Sequence, residues 1–329
     1  MKKPLYWIII LVVVLILAIF FFYFSFTGVK VQGLVIDLVN QKPIENATVR
    51  INNKYYYTNN EGHFVAYKPV FKEVSIVIEK NGYKPERRKI LSKGFSSVNS
   101  VEVLMSPLDY KNILDYTSKD LASYSSYNFR YTWRTSPGEK EGKISYMLYQ
   151  LSKDGVLRFK YVEDDAFGNT ILEREIIQAK DTVYYRDSLN PKWIKAKQEE
   201  ISVAKLQEPL DIIQLFRDPQ EPASFVASAP ISLYASNGNL ITEEALLEKN
   251  LNKDSEGIKK VEVRPFSAKW NVVGGKKEAV FYLDANTYNL LRADMYEESP
   301  GENGFTVKQE LIFSITNINE DFKIELPEI

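Results

Sequence analysis

Residues 278–298 read EAVFYLDANTYNLLRADMYEE. Asp284-Ala285-Asn286-Thr287 has the composition of a tight turn, and the runs on either side of it make the stretch a β-hairpin. The next run, 307–328, reads VKQELIFSITNINEDFKIELPE and sets Val307, Leu311, Phe313 and Ile315 on one face before a terminal Phe-x-Ile-x-Leu-Pro. A period of two with one apolar side is what a half-buried strand requires, so the chain is expected to close on an antiparallel sheet whose strands run to the end.

Working upstream, the same period recurs. Tyr127, Phe129, Tyr131 and Trp133 fall on one side of a strand, with Asn128, Arg130, Thr132 and Arg134 on the other. Further strands are read at KISYMLYQL, VLRFKYVE, TILEREIIQ, TVYYRD and KWIKAK, with turns at Lys153-Asp154-Gly155 and Phe167-Gly168-Asn169. Leu157, Phe159 and Tyr161 then share a face opposite Arg158 and Lys160. The period changes at 109–122, where Ile113, Leu114, Tyr116, Thr117 and Leu121 recur at helical spacing behind a capping Asp109. Helices are also predicted over 209–218 and over 242–251, the latter opened by Thr242 before Glu243 and Glu244. The stretch between those two helices is rich in Pro, Ala, Ser and Gly and is expected to be irregular.

A strand, an Asp-x-x-Thr turn, a second strand and a Phe-x-Ile-x-Leu-Pro tail, together with the opening helix, Ser-Tyr linker and aromatic strand, resemble LolA- and LppX-type lipoprotein-carrier folds over 107–329. The long stretch between Gln198 and Gly257 departs from the simplest members. The resemblance implies a strongly curved sheet, a half-barrel, with helices covering a concave aromatic face. It implies a cavity there for an acyl chain, lipoprotein segment or other hydrophobe, lined by Tyr127, Phe129, Tyr131, Trp133, Leu157, Phe159 and Tyr161. The alternative is that these side chains pack against the helices as a closed core, because large aromatics fill volume as readily as they line it.

Before the Ser106-Pro107 boundary, residues 29–105 form short alternating runs between turn signals, the pattern of a β-sandwich. Ala47, Val49 and Ile51 alternate inward, while Asn60-Glu61-Gly62 and Gly82 supply turns. Gly33, Val35, Asp37, Pro43, Ala47, Val49, Ile51, Thr58, Glu61, Gly62, Phe64, Gly82 and Tyr83 together resemble the carboxypeptidase regulatory-like domain, a small prealbumin-like sandwich. That resemblance implies a spacer or binding platform without catalytic residues.

At the amino terminus, residues 5–24, LYWIIILVVVLILAIFFFYF, carry neither charge nor glycine and match the ~20 residues a helix needs to cross a bilayer. No cysteine follows for a lipoprotein signal, and no small-residue cleavage site closes the run, so an uncleaved anchor is expected. Lys2 and Lys3 before it, against Lys30 after it, place residues 1–4 in the cytoplasm and the rest outside the cell membrane. Such a tether rules against ferrying cargo across an aqueous gap and favours anchored presentation, sensing or scaffolding. The expected fold is thus mainly β: an N-terminal transmembrane helix at 5–24, a small β-sandwich at 29–105, then an α+β curved antiparallel sheet with covering helices at 107–329.

Lys+Arg 42 against Asp+Glu 43 leaves a net charge of −1 without blocks of like sign, which argues against a nucleic-acid partner. With no cysteine, disulfides, thiolate zinc sites and cysteine nucleophiles are excluded. The single histidine, His63, sits in a turn and makes neither a catalytic dyad nor a metal cluster. Asp164-Asp165 and Glu173 with Glu175 are the carboxylates an acid/base pair could draw on. Glu173 and Glu175, however, alternate with Leu172, Arg174 and Ile176 as on a solvated face, and Asp164-Asp165 suit a turn. Gly274-Gly275 lacks the Lys-Ser/Thr of a phosphate loop and fits a turn. No catalytic residue, metal or cofactor is therefore expected. The expected role is non-catalytic binding of a lipid, lipoprotein or hydrophobic ligand, or envelope sensing. The alternative is a structural scaffold for an envelope protein partner, with a closed core and no small ligand.

Overall fold

The computed structural model describes residues 11–19, 29–68, 73–90, 99–137, 143–165, 167, 169–197, 208–218, 220–236, 238–249, 251–252, 257–301 and 306–328. Residues 11–19 form helix α1, with its apolar side chains exposed. The remaining parts of the expected 5–24 anchor, 5–10 and 20–24, lie outside the described residues. Among the described residues no helix is long and apolar enough to cross a membrane. The chain divides into two compact units, Met1–Leu108 and Asp109–Ile329.

In the first unit, strand β1 (Val29–Asp37) lies between β4 (His63–Lys68), antiparallel to it, and β7 (Asn99–Met105), parallel to it. A second sheet has the order β3 (Lys54–Tyr57), β2 (Thr48–Ile51), β5 (Val74–Glu79), β6 (Glu86–Ile90). The two sheets share one core, in which Val31, Val35, Phe64 and Val103 from the first meet Val49, Ile51, Ile76 and Ile78 from the second. Gly33 is required by that packing, because a Cβ there would stand 2.1 Å from the Phe64 ring. Asp37 closes β1: its carboxylate accepts the Val39 and Asn40 N–H groups and the Tyr83 hydroxyl at 2.7–3.0 Å. Burial pushes this carboxyl up, but those hydrogen bonds outweigh it and hold Asp37 below its ordinary value.

Thr58 is the buried polar hinge of this core. Its Oγ1 accepts from the Ala47 N–H at 2.8 Å and donates to the Ile44 carbonyl at 2.6 Å. Thr58→Val keeps the volume and orphans both backbone groups, so we expect a loss of about 2 kcal/mol in the first unit's unfolding free energy, read by urea denaturation. A change below a few tenths would show that water satisfies both groups.

The second unit is one large curved antiparallel sheet with few helices. Along the chain come α2 (Tyr110–Ser123), β8 (Tyr127–Pro137), β9 (Lys143–Leu151), β10 (Leu157–Asp164), β11 (Thr170–Ala179), β12 (Thr182–Asp187) and β13 (Ile194–Lys197). Then follow α3 (Pro209–Leu215), β14 (Ser224–Ala227), β15 (Ile231–Ser236), β16 (Asn239–Ile241), α4 (Glu243–Glu248), β17 (Lys259–Trp270), β18 (Lys276–Asp284), β19 (Leu290–Pro300) and β20 (Thr306–Thr316). The sheet order is β13-β12-β11-β10-β9-β8-β20-β19-β18-β17-β15-β16, with β14 also on β17. The last strand therefore pairs with the first, β20 on β8 from Val307↔Pro137 to Thr316↔Asn128.

The predicted hairpin is β18–β19. Asp284 Oδ1 accepts the Asn286 and Thr287 N–H groups at 2.9 and 2.7 Å, and Tyr288 takes φ +58° to complete the turn. Asp109 caps α2 by accepting from Asn112 N at 2.8 Å, and Thr242 caps α4 through Ala245 N. Both later helices are shorter than expected, ending at Leu215 and Glu248. The stretch read as irregular instead supplies β14, β15 and β16; β14 and β15 gain their ladders from β17, and β16 pairs with β15, rather than forming from local propensity alone. The expected terminal strand is also corrected: β20 stops at Thr316, because Asn317 and Asn319 adopt positive φ of 54° and 56° and turn the chain off the ladder. Residues 320–328 follow without strand pairing.

Candidate functional site

Because side chains alternate along each strand, one face of β8, β9 and β10 collects all seven residues singled out from the sequence. Register sets them in rows: Phe129, Tyr149 and Phe159 align, then Tyr131, Met147 and Tyr161, while Tyr127 and Leu157 both sit opposite Leu151. Tyr127, Phe129, Tyr131 and Phe159 are buried; Trp133, Leu157 and Tyr161 are half-buried. Trp133 stacks on Tyr131 with ring centroids 5.2 Å apart and meets Tyr161 at 5.8 Å. The Tyr161 hydroxyl donates to Glu163, and burial pushes the Tyr131 phenol up to about 12.

The same inner face continues across β20, β18 and β17, and there the helices cover it. Phe129 stacks on Phe313 at 5.5 Å, and Phe216, just after α3, meets Phe313 edge-on at 4.8 Å. Tyr110 of α2 packs edge-on against Trp270 at 5.2 Å and Phe281 at 5.7 Å. Its hydroxyl donates to the Phe216 carbonyl and accepts the Asp218 N–H, which ties α2 to the end of α3. Ile113, Leu114, Ile212, Ile213 and Phe216 are buried in this contact. The aromatic wall is therefore a filled core at its centre, and among the described residues the Trp133–Tyr161 end makes its ring contacts with Tyr131 and within itself.

The opposite face of β9–β12 holds what sequence reasoning missed. Glu175, expected on a solvated face, is fully buried there. Arg158 Nε donates to its Oε1 at 2.5 Å and Arg186 Nε to its Oε2 at 2.8 Å, so two guanidiniums from the neighbouring strands cover it. Burial pushes the Glu175 carboxyl up, but Arg186 and Arg158 outweigh it and leave it below its ordinary value. Glu173, next along the same face, is half-buried and pairs with Lys160 at 2.8 Å. The legible signal was charge of opposite sign at i and i+2 on consecutive strands, Arg158/Lys160 against Glu173/Glu175.

A cleft of about 640 Å³ opens over this cluster, lined by Gln150, Arg158, Glu175 and Trp193 and by the tail Lys323–Glu328. A neighbouring cleft of about 570 Å³ is lined by Asn128, Gln150, Arg158, Ser236 and Thr316. None of the seven aromatic-face residues lines either one.

The other sequence candidates take structural places. Asp165 accepts the Phe167 and Asn169 N–H groups and Asp164 the Thr170 hydroxyl, as a turn requires. His63 is exposed at the start of β4, its N–H donated to Asn59. Among the described residues no group of three or more His, Asp or Glu could hold a metal ion.

No family model matches the chain, and no curated protein matches it by sequence. Solved structures similar to it include LolA-superfamily proteins. LprF from Mycobacterium bovis is 10% identical with a TM-score of 0.31, covering 66% of this chain and 96% of that one. The LolA superfamily protein NE2245 from Nitrosomonas europaea is 8% identical with a TM-score of 0.21, covering 67% and 96%. A putative outer membrane lipoprotein-sorting protein domain from Vibrio parahaemolyticus is 9% identical with a TM-score of 0.20, covering 62% and 91%.

Proposed function

We infer that the protein is a non-catalytic binding protein, held at the extracytoplasmic face of a cell membrane by residues 5–24, that takes a hydrophobic ligand such as an acyl chain or lipoprotein segment. The observation that carries the reading is the half-buried Trp133–Tyr161 pair, which extends the inner aromatic face past the helix-packed centre. Such a surface offers apolar area with a hydroxyl at its edge, the composition of a hydrophobe site with few polar contacts.

The test uses the full chain in membranes loaded with a fatty acid that carries a photoreactive diazirine. Crosslinks are expected on peptides containing Trp133 and Tyr161, and Trp133→Arg is expected to cut them about ten-fold while the protein still unfolds in one cooperative thermal transition. Crosslinking indifferent to Trp133→Arg would overturn the site.

A second reading, a scaffold for an envelope protein partner with no small ligand, is favoured by the filled centre around Phe216, Phe281 and Phe313. One envelope protein co-purifying with the full chain, with no fatty-acid crosslink, would select it.

A further inference from the structure

The two rims of the large sheet differ in what their turns present. By register, β8, β10, β12, β17 and β19 end, and β9, β11, β18 and β20 begin, at one rim. The described turns there carry Phe167, Leu189 and Val272-Val273, and Phe167, Leu189 and Val273 are 89%, 87% and 98% exposed. At the opposite rim the turns are Lys153-Asp154-Gly155, Lys180-Asp181 and Ala285-Asn286-Thr287. Isolated exposed apolar residues are ordinary on a surface, but here the tips of three separate turns on one rim share the property.

The apolar tips are held outward by their own turns. Asp165 accepts the Phe167 N–H at 2.9 Å, and Asp187 accepts the Leu189 N–H at 2.9 Å and the Asn190 N–H at 2.7 Å. At the Phe167 and Leu189 turns a carboxylate is thus bonded to the backbone behind the tip. From the Leu189 turn, past the Phe167 turn, to the Val273 turn the sheet crosses about eight strand spacings, roughly 40 Å along its contour. Single apolar tips spread over that length suit a fluid apolar medium that closes round each one.

We propose that this rim dips into the surface of a zwitterionic lipid bilayer, with Phe167, Leu189 and Val273 as the inserting side chains. An interfacial element of this kind buries its apolar groups ~5–10 Å into the headgroup boundary, within reach of a turn tip. The proposal rests on the binding function above and deepens it: Trp133 and Tyr161 lie in the halves of β8 and β10 nearest this rim, so the bilayer itself is the source of the hydrophobic ligand.

The chain has no cysteine, so one introduced thiol reports one position. Leu189→Cys, Asp154→Cys and Asn286→Cys are each labelled with bimane in the full chain, reconstituted in phosphatidylcholine vesicles containing spin-labelled lipid. Quenching is expected to be several-fold stronger at 189 than at 154 or 286. Adding Phe167→Ser and Val273→Ser to the Leu189→Cys chain should lower it to the level at 154. Equal quenching at the two rims, none at 189, or protection of 189 by a bound protein without quenching would overturn the proposal. Diazirine fatty-acid crosslinking in the same vesicles separates the two ideas. Crosslinks at Trp133 with an unquenched 189 overturn the rim alone, and a quenched 189 without crosslinks overturns the ligand site alone.

Discussion

Phe313→Ala will remove about 3–5 kcal/mol from the unfolding free energy of the second unit, followed by tryptophan fluorescence in urea. Phe313 is fully buried, stacked on Phe129 and met edge-on by Phe216, so its loss empties the point where the sheet, through β8 and β20, meets the end of α3. Neither ring can collapse into the space easily, because Phe129 is set by its strand and Phe216 by the Tyr110 hydroxyl on its carbonyl. Trp133→Ala, at the half-buried end of the same face, should cost less than half as much. A Phe313→Ala loss under 1 kcal/mol would mean that the centre is loosely packed and has room for a ligand after all.

Glu175→Ala is the second large effect. The carboxylate is 1% exposed and the arginines around it are 36% and 34% exposed, so removing it leaves two partly shielded cations facing each other. Breaking a fully buried pair costs about 3–5 kcal/mol; with the arginines this open to water we expect about 2–3 kcal/mol. The pH dependence carries a sign. Because the folded carboxyl sits below its ordinary value near 4.5, its stabilisation is complete above that value and is lost as the pH falls through the folded value. Glu175→Gln should therefore flatten the acid limb of stability below about pH 4.5 and leave the slope at neutral pH unchanged. An identical acid limb in both proteins would show that Glu175 is not the group that titrates.

Local chemistry carried much of the second unit. Asp109, Thr242 and Asp284 each accept backbone N–H groups two or three residues on, an interaction that depends on nothing distant, and their elements stand where those residues put them. Alternation likewise put Tyr127, Phe129, Tyr131 and Trp133 on one face, because a strand's period is independent of its neighbours. Two of the failures are non-local, whereas the early end of β20 is set locally by Asn317 and Asn319. Glu175 was misread because its own strand looks half-polar; the arginines that cover it belong to β10 and β12. Strands β14 and β15 were missed because their ladders form on β17, further along the chain, and β16 follows by pairing with β15.

Residue order alone therefore determined that this is a mainly β chain, with a hydrophobic run at 5–24, a cysteine-free composition, and an aromatic strand face at 127–133. Each follows from side-chain chemistry or from a period of two. Only the tertiary structure decided that β20 closes against β8, that Phe216 and Tyr110 fill the centre of the aromatic wall and leave Trp133 and Tyr161 at its end, and that one rim gathers Phe167, Leu189 and Val273. Those outcomes depend on which strands neighbour one another, and pairing between residues as far apart as Asn128 and Thr316 is set by the free energy of the whole sheet rather than by any local preference.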